Sequence, residues 1–549
     1  MSSSASPNDQ VPLREPAAEG DLQPKPDSLI RVAAWFLKMP LTGLLCVLAV
    51  VQLAMWIPHY LTWPLWSDHD VFATLAHSWH EGRLPYRDLP SNNFPGTIYL
   101  FWILGTAFGW GRSLPLYATD AGFVVVLGVA LALWSRRRFA SILPGVIGYL
   151  TFLSFYLGLD YSLAAQRDWH GPFFAVLGLL VAQACPGRRG RFFSALALAV
   201  AAAFRPQVVV LFPAVCLAID DSARQPRESL GKTVIAMLAW VVTFSFVLGL
   251  LFAPLIFSGL ITDFARGIRR TAYGGGYNRV TPALFVLGWL SQAAALKLWL
   301  VPCATLLLSR LGDSSARRMA NTWLLAMAGI SLYRPLSPFA HAYLTIPLTL
   351  VWSVAVAVLV GIVIGLRSSS LPLRLTVVLL SLSLGINARP PFCLVGPSRR
   401  AIATRFAQGP GSEVPPGYRA GAVSSSAMYP WQDYSAVLDY IRNSTRPETL
   451  VANALKGVPA ITGSTARLSA FPAESLAWLW MVDRSQEAEF ASALARDGDT
   501  VVVWIPGEVG PDPTFVIDKI EAAIKEYYQP EARFGAIEVW RRKLGSSPR

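Results

Sequence analysis

Between residues 66 and 96 the chain reads "WSDHDVFATLAHSWHEGRLPYRDLPSNNFPG", gathering Asp68, His69, Asp70, His77, His80, Glu81 and Asp88 in one short stretch. Carboxylates and imidazoles are the side chains that take up and return protons near neutral pH, and the same types ligate zinc or manganese. No pair among Asp68, His69, Asp70, His77 and His80 has the spacing of a strong metal motif, which disfavours a metal site. A divalent metal stays open as an alternative, and no other cofactor is indicated. The plainer reading is an ordinary solvated loop, because acids are common outside the membrane.

A second polar stretch, "YSLAAQRDWHGPFF", sets Gln166, Arg167, Asp168 and His170 at the mouth of an apolar run, where a structural Arg167–Asp168 pair is the competing reading. "AFRPQVVVLFP" places Arg205 and Gln207 between two apolar runs, where an arginine also snorkels to the interface. "RRTAYGGGYNR" flanks three glycines with Tyr273 and Tyr277, as a mobile external loop over a site would, with a plain flexible connector as the favoured competing reading; it is not a P-loop, since GxxxxGK[ST] is absent.

These residues need a frame, and composition says what kind. Of 549 residues 53% are hydrophobic and 15% charged. The mean hydropathy is +0.43. That balance indicates a polytopic α-helical membrane protein and argues against a large soluble enzyme. The net charge of +13 sits largely in arginine clusters between apolar runs, "SRRRF" and "PGRRGRF". Such clusters suit membrane lipid headgroups, and nucleic acid is not expected as a partner. The cysteines (Cys46, Cys185, Cys216, Cys303, Cys393) lack CxxC spacing and read as packed free thiols.

Crossing the hydrocarbon core takes about 20 apolar residues. Candidate spans lie near 40–57, 95–110, 115–134, 139–159, 172–185, 191–219, 232–257, 282–308, 320–333, 339–365 and 371–387, some of which can split, giving an expectation of 11–13 helices. The predicted organisation is a disordered cytoplasmic tail (1–30), a transmembrane domain (31–388) with its first external loop at 58–94, a Pro/Gly/Ser-rich linker (389–428) and a soluble α/β domain (429–549). In the last, "TLVANA", "DTVVVWIP" and "GAIEVWRRK" read as strands, and "WQDYSAVLDYIRNST" and "PTFVIDKIEAAIKEYY" as helices. Within the loop, Trp63 and Trp66 suit an interfacial belt, "VFATLAHSWHEG" predicts an amphipathic helix ending at Gly82, and "LPYRDLPSNNFPG" a Pro-punctuated turn. Orientation is in conflict: with a cytoplasmic tail, counting through 95–110 and 115–134 puts Arg136, Arg137 and Arg138 outside, against the positive-inside tendency. Either 95–110 does not span fully or the count of spans is off, and the sequence alone does not decide.

The Asp opening the first loop, a Gly fourteen residues later, then "LPYRD" and "NNFPG" leading into an apolar run, resembles the GT-C superfamily of membrane glycosyltransferases. The branch it is most similar to contains the protein O-mannosyltransferases and the bacterial lipid A aminoarabinose transferases. The resemblance implies a GT-C-like body and an inverting transfer of sugar from a polyprenyl-phosphate donor to an acceptor hydroxyl on a lipid, glycan or protein. Asp68 would be the base. His69 stands where the family often has Glu, and Asn93 and Phe94 where it often has Lys before the closing Pro segment. His69, Asp70 and Asp168 are the candidates for a second acidic role or an acceptor or metal site. Arg205, Arg334 and His341 are candidates for the donor phosphate, and Tyr86, Asp88, Asn92, Asn93, Arg167, Tyr273 and Tyr277 are further loop candidates. The implied location is a bacterial inner membrane, with the loop and the C-terminal domain on the periplasmic side. The alternatives are a lipid-linked polysaccharide polymerase or ligase, a transporter or flippase, and a non-catalytic relative.

Overall fold

The computed structural model describes residues 39–159, 162–185, 187–223, 230–274, 293–333, 342–366, 377, 419–420, 429–473, 475–496, 498–508 and 515–543. The expected tail, the 371–387 span apart from Val377, and the 389–428 linker apart from residues 419–420 lie outside the described residues.

The body runs α1 (Pro40–Tyr60), α2 (Ser67–His80), α3 (Pro95–Phe108), α4 (Leu114–Phe139), α5 (Leu143–Tyr156), α6 (Arg167–Ala184), α7 (Arg188–Phe204), α8 (Phe212–Ala223), α9 (Leu230–Phe257), α10 (Ile261–Gly274), α11 (Ala293–Ser309), α12 (Ser314–Ser331) and α13 (Ile346–Gly365). Among the described residues four helices are long and apolar enough to cross a membrane: Pro40–Tyr60, Leu114–Phe139, Gly231–Phe257 and Tyr343–Gly365. Others are shorter than their apolar runs suggested. The run 191–219, for instance, breaks at Arg205–Pro206, because proline lacks the N–H that would continue α7, and resumes through a 3-10 turn into α8. Leu350, Val354, Val358 and other residues all round α13 are buried, so this helix is the hub of the body. Leu238, Val242 and Phe246 on α9 are exposed, as lipid-facing side chains would be.

Contacts between helix ends sort the body into two faces. Tyr117, near the start of α4, donates 2.6 Å to the Pro64 carbonyl just beyond α1. Gly96, at the start of α3, abuts Ala203 and Phe204 at the end of α7, and Gly111, just after α3, abuts Ser464 of the C-terminal module. Both ends of α3 thus lie on the face where α1 ends, and the chain does not cross between Tyr60 and Leu114. From there it alternates. Arg137, ending α4, donates to the Ala184 carbonyl ending α6, while Tyr156, ending α5, donates to Asp120 near the start of α4. Tyr333, just past α12, and Arg205, just past α7, both meet Asp168 at the start of α6. Gly361 of α13 packs on Phe139 of the opposite face. Arg136, Arg137, Arg138, Arg188, Arg189, Arg191, Arg310, Arg317 and Arg318 therefore share the far face, away from α2. This removes the orientation conflict of the sequence, because 95–110 does not cross.

In the C-terminal module, a two-residue pair of β1 (Arg419–Ala420) with β2 (Tyr429–Pro430) is followed by α14 (Trp431–Ser444), β3 (Leu450–Asn453), α15 (Thr462–Thr465), α16 (Ala477–Met481), α17 (Glu487–Ala495), β4 (Thr500–Trp504), α18 (Asp518–Tyr527), β5 (Tyr528–Phe534) and β6 (Ile537–Arg542). The sheet order is β3-β4-β6-β5, parallel between β3 and β4 and antiparallel beyond. Side chains alternate across the sheet. Val502 and Trp504 pack with Phe490 of α17 and Ile520 of α18, and Val501 and Val503 with Val437 and Ile441 of α14. Covered on both faces, β4 reads as an unbroken apolar run.

Candidate functional site

Asp68, His69 and Asp70 are consecutive on the first turn of α2, and the roughly 100° between helical neighbours sends them three ways. Asp68 is half-buried and its carboxylate makes no hydrogen bond or ion pair among the described residues. Arg167 and Tyr343 lie close enough to act on it electrostatically. His69 turns inward, where its Nδ1 accepts from the Trp66 N–H at 3.2 Å and its ring lies between Phe101 and Tyr117. Burial pushes it down to about 4, so it is neutral at physiological pH. Asp70 turns to the C-terminal module, accepting from the Ser464 N–H at 2.8 Å and the Thr462 hydroxyl at 3.0 Å. Burial pushes its carboxyl up to about 6. The α2 helix differs from the expected amphipathic one: Phe72, Leu75 and Ala76 are buried, but so are Asp70, His77 and Ser78, with Asp70 bonded to the module and the His77 ring packed against Trp110.

Next to Asp68 is a compact cluster at the start of α6. Asp168, 1% exposed, pairs through Oδ2 with Arg205, accepts the Tyr333 hydroxyl on Oδ1 at 3.0 Å, and has Arg167 Nε at 3.8 Å. Its closest partner is thus Arg205, whereas the sequence suggested Arg167. The Arg167 guanidinium lies over the Phe72 ring of α2, 5.0 Å from its centre. That contact joins the cluster to the helix bearing Asp68. Two guanidinium groups stand against two carboxylates here, Asp168 fully engaged and Asp68 acting on Arg167 without a bond.

A deeper network supports this cluster. Asp120, 0% exposed on α4, accepts from Tyr60 of α1 at 2.6 Å and Tyr156 of α5 at 2.7 Å, and pairs with His170 of α6 at 2.9 Å. The Tyr156 oxygen also accepts from the Ala165 N–H at 3.1 Å, which fixes the backbone entering α6. Sequence reasoning passed over Asp120 and Tyr333. A lone acid inside the apolar run "LYATDAGFVVV" is itself the signal of a buried partner network. Tyr333 carries no such mark.

The remaining loop candidates have local roles. Tyr86, at φ +70°, buries its ring against Phe264 and donates to the Asn93 carbonyl at 2.8 Å, and Asn93 in turn donates to Ser91 Oγ at 2.9 Å. Asp88 accepts from the Leu84 N–H at 2.6 Å and closes its own turn, and Asn92 is half-buried beside them. This segment is held by α10: Arg87 donates to Asp263 and to the Gly259 carbonyl, each at 3.0 Å. Arg334, His341 and Tyr277 lie outside the described residues, as does the side chain of Tyr273. Among the described residues no three His, Cys, Asp or Glu side chains converge as metal ligands would.

Comparison with family models finds none that matches the chain. None of the curated proteins matches it either. Among solved structures it is similar to ArnT from Cupriavidus metallidurans in the apo state, with a TM-score of 0.51 and 12% identity over 93% of this chain and 100% of that one. ArnT is a lipid A aminoarabinose transferase of the GT-C superfamily. At that identity the likeness is one of architecture. Together with the long apolar helices and the C-terminal sheet, it gives this chain the GT-C fold: a polytopic helical membrane body carrying a small α/β module.

Proposed function

We propose that this protein is a membrane glycosyltransferase that moves a sugar from a polyprenyl-phosphate donor to an acceptor hydroxyl by a single inverting displacement, with Asp68 as the base. The observation that carries the reading is an Asp68 carboxylate left without internal hydrogen bonds beside the Arg167–Asp168–Arg205 cluster. A carboxylate tied into the fold is a poor proton acceptor for a substrate, whereas this one is open to the acceptor O–H. As the acceptor oxygen bonds to the anomeric carbon, its proton passes to Asp68. The bond from that carbon to the phosphate oxygen breaks with its electron pair on the leaving polyprenyl phosphate. Once Asp68 has taken the proton, Arg167 and Arg205 carry one net positive charge against Asp168, which suits that phosphate, and guanidinium groups recognise phosphate through paired N–H donors. Asp168 orients those arginines. In this reading Arg205 reaches the phosphate while braced from behind by Asp168, and Arg334 and His341 remain candidates for the same phosphate.

The basic connections on the far face favour that face as the cytoplasmic one, with α2 and the C-terminal module external, by the positive-inside tendency. An external site fits a lipid-linked donor, whose tail stays in the bilayer while its head lies at the interface. The test is transfer of radiolabelled sugar from a panel of polyprenyl-phosphate sugars, in membranes expressing wild type or Asp68→Asn at matched levels. Transfer by wild type alone is expected. An active donor with full transfer by Asp68→Asn rejects the base assignment, and no transfer from any donor favours a polymerase, a transporter or a non-catalytic relative.

A further inference from the structure

Asp70 lies two residues from Asp68 on the same helical turn but faces away from it. It is 5% exposed, and its Oδ1 and Oδ2 accept from the Ser464 N–H and the Thr462 hydroxyl, residues that follow it by almost 400 positions. One turn on, Thr74 Oγ1 is 2.7 Å from Thr462 Oγ1. Between those bonds Gly463 lies so close to α2 that a Cβ there would sit 2.7 Å from Ala73 Cβ and 2.8 Å from the Asp70 carbonyl oxygen. The far end of α2 is tied as well, by Arg83 donating to the Ser469 carbonyl at 2.9 Å. On the module side, Arg442 of α14 donates 2.9 Å to the Ser464 carbonyl, so the docking loop is anchored to the module's own core.

We infer that Asp70 is a positioning residue: it clasps α2 to the 462–464 loop, so that the C-terminal module fixes the helical turn that presents Asp68. A short helix at a membrane surface holds its first turn poorly by itself, since its leading N–H groups have no helical partners. Here the turn is gripped on one side by His69 packed into the body and on the other by Asp70 bonded to the module. The module then belongs to the active-site scaffold instead of being a separate acceptor-binding domain. The consequence for catalysis rests on the function proposed above, and the clasp itself does not.

The test uses the full chain in lipid nanodiscs, comparing wild type with Asp70→Ala, Asp70→Asn, Thr462→Val and Gly463→Val. Amide hydrogen exchange is followed in residues 67–80 and 462–465, and kcat and donor KM are measured with whichever polyprenyl-phosphate sugar supports transfer. Asp70→Ala and Gly463→Val are expected to speed exchange in both segments by roughly tenfold or more. They should lower kcat by about 10- to 100-fold while donor KM moves less than about threefold, the signature of a misplaced base with its phosphate site intact. Asp70→Asn keeps an acceptor for the Ser464 N–H and should fall between. Unchanged exchange in Asp70→Ala and Thr462→Val overturns the clasp, and faster exchange with unaltered kcat overturns the positioning role. Faster exchange in a chain whose wild type transfers from no donor supports the clasp and counts against the transferase reading alone.

Discussion

Replacing Asp120 with alanine should loosen the membrane body more than any other single change to a polar group described here. The carboxylate receives Tyr60, Tyr156 and His170 from three different helices and is shielded from water. A hydrogen bond to a charged group contributes about 1.5–3 kcal/mol, and each buried donor left alone costs about 1–3 kcal/mol. The three losses do not add, since the phenols and the imidazole share one acceptor and relax together. Removal of one partner from a buried ionic cluster costs about 3–5 kcal/mol, which is the expected range. Between Met39 and Leu366 there are roughly 330 residues at about 2.1 cal/mol/K each, so the unfolding midpoint should fall by about 4–7 °C. Tryptophan fluorescence on heating in detergent reads it, with Tyr60→Phe and Tyr156→Phe each expected to cost about 1.5–3 kcal/mol, the contribution of one bond to the carboxylate. A wild-type midpoint in Asp120→Ala would falsify the view that this network braces the start of α6. Loss in Asp120→Ala equal to that in either phenylalanine variant would show that only one of the bonds matters.

Asp68→Asn breaks no internal bond and should leave the stability within about 0.5 kcal/mol of wild type, while transfer falls at least about 100-fold; a large thermal shift would make Asp68 a structural residue. At Gly267 on α10 a Cβ would stand 2.1 Å from the Ser91 carbonyl oxygen, so Gly267→Ala should cost about 1–3 kcal/mol locally and speed hydrogen exchange across residues 84–94. Acid titration separates two neighbours. Asp70, raised to about 6 by burial, contributes stability that is complete below its ordinary value near 3.8 and is lost as pH rises through about 6, on the order of 3 kcal/mol. His69, lowered to about 4, contributes stability that is present above 6.5 and is lost as pH falls through about 4, of similar size. The two oppose each other between pH 6.5 and 4, so Asp70→Asn should lose stability on acidification more steeply than wild type. Thermal scans from pH 4 to 8 measure it, and parallel curves would refute the assignment.

What the sequence determined by itself was whatever short-range pattern can carry. Apolar runs marked the helices of the body, because hydrocarbon demands them residue by residue. The alternating and amphipathic stretches after Tyr429 marked β3, β4, β6, α14 and α18, because strand and helix periods differ. The crowding of Asp68, His69 and Asp70 between two such runs marked the loop. Tertiary structure decided the rest. Three consecutive polar residues were one cluster in the sequence, and helical geometry divided them among an open site, the body and the module. The 95–110 run had the composition of a span and does not cross, since Gly96 and Gly111 are both held on the face where α1 ends. Asp168 meets Arg205 and Tyr333 only because α6, α7 and α12 converge there, and a contact across 165 positions leaves no periodic trace in the chain.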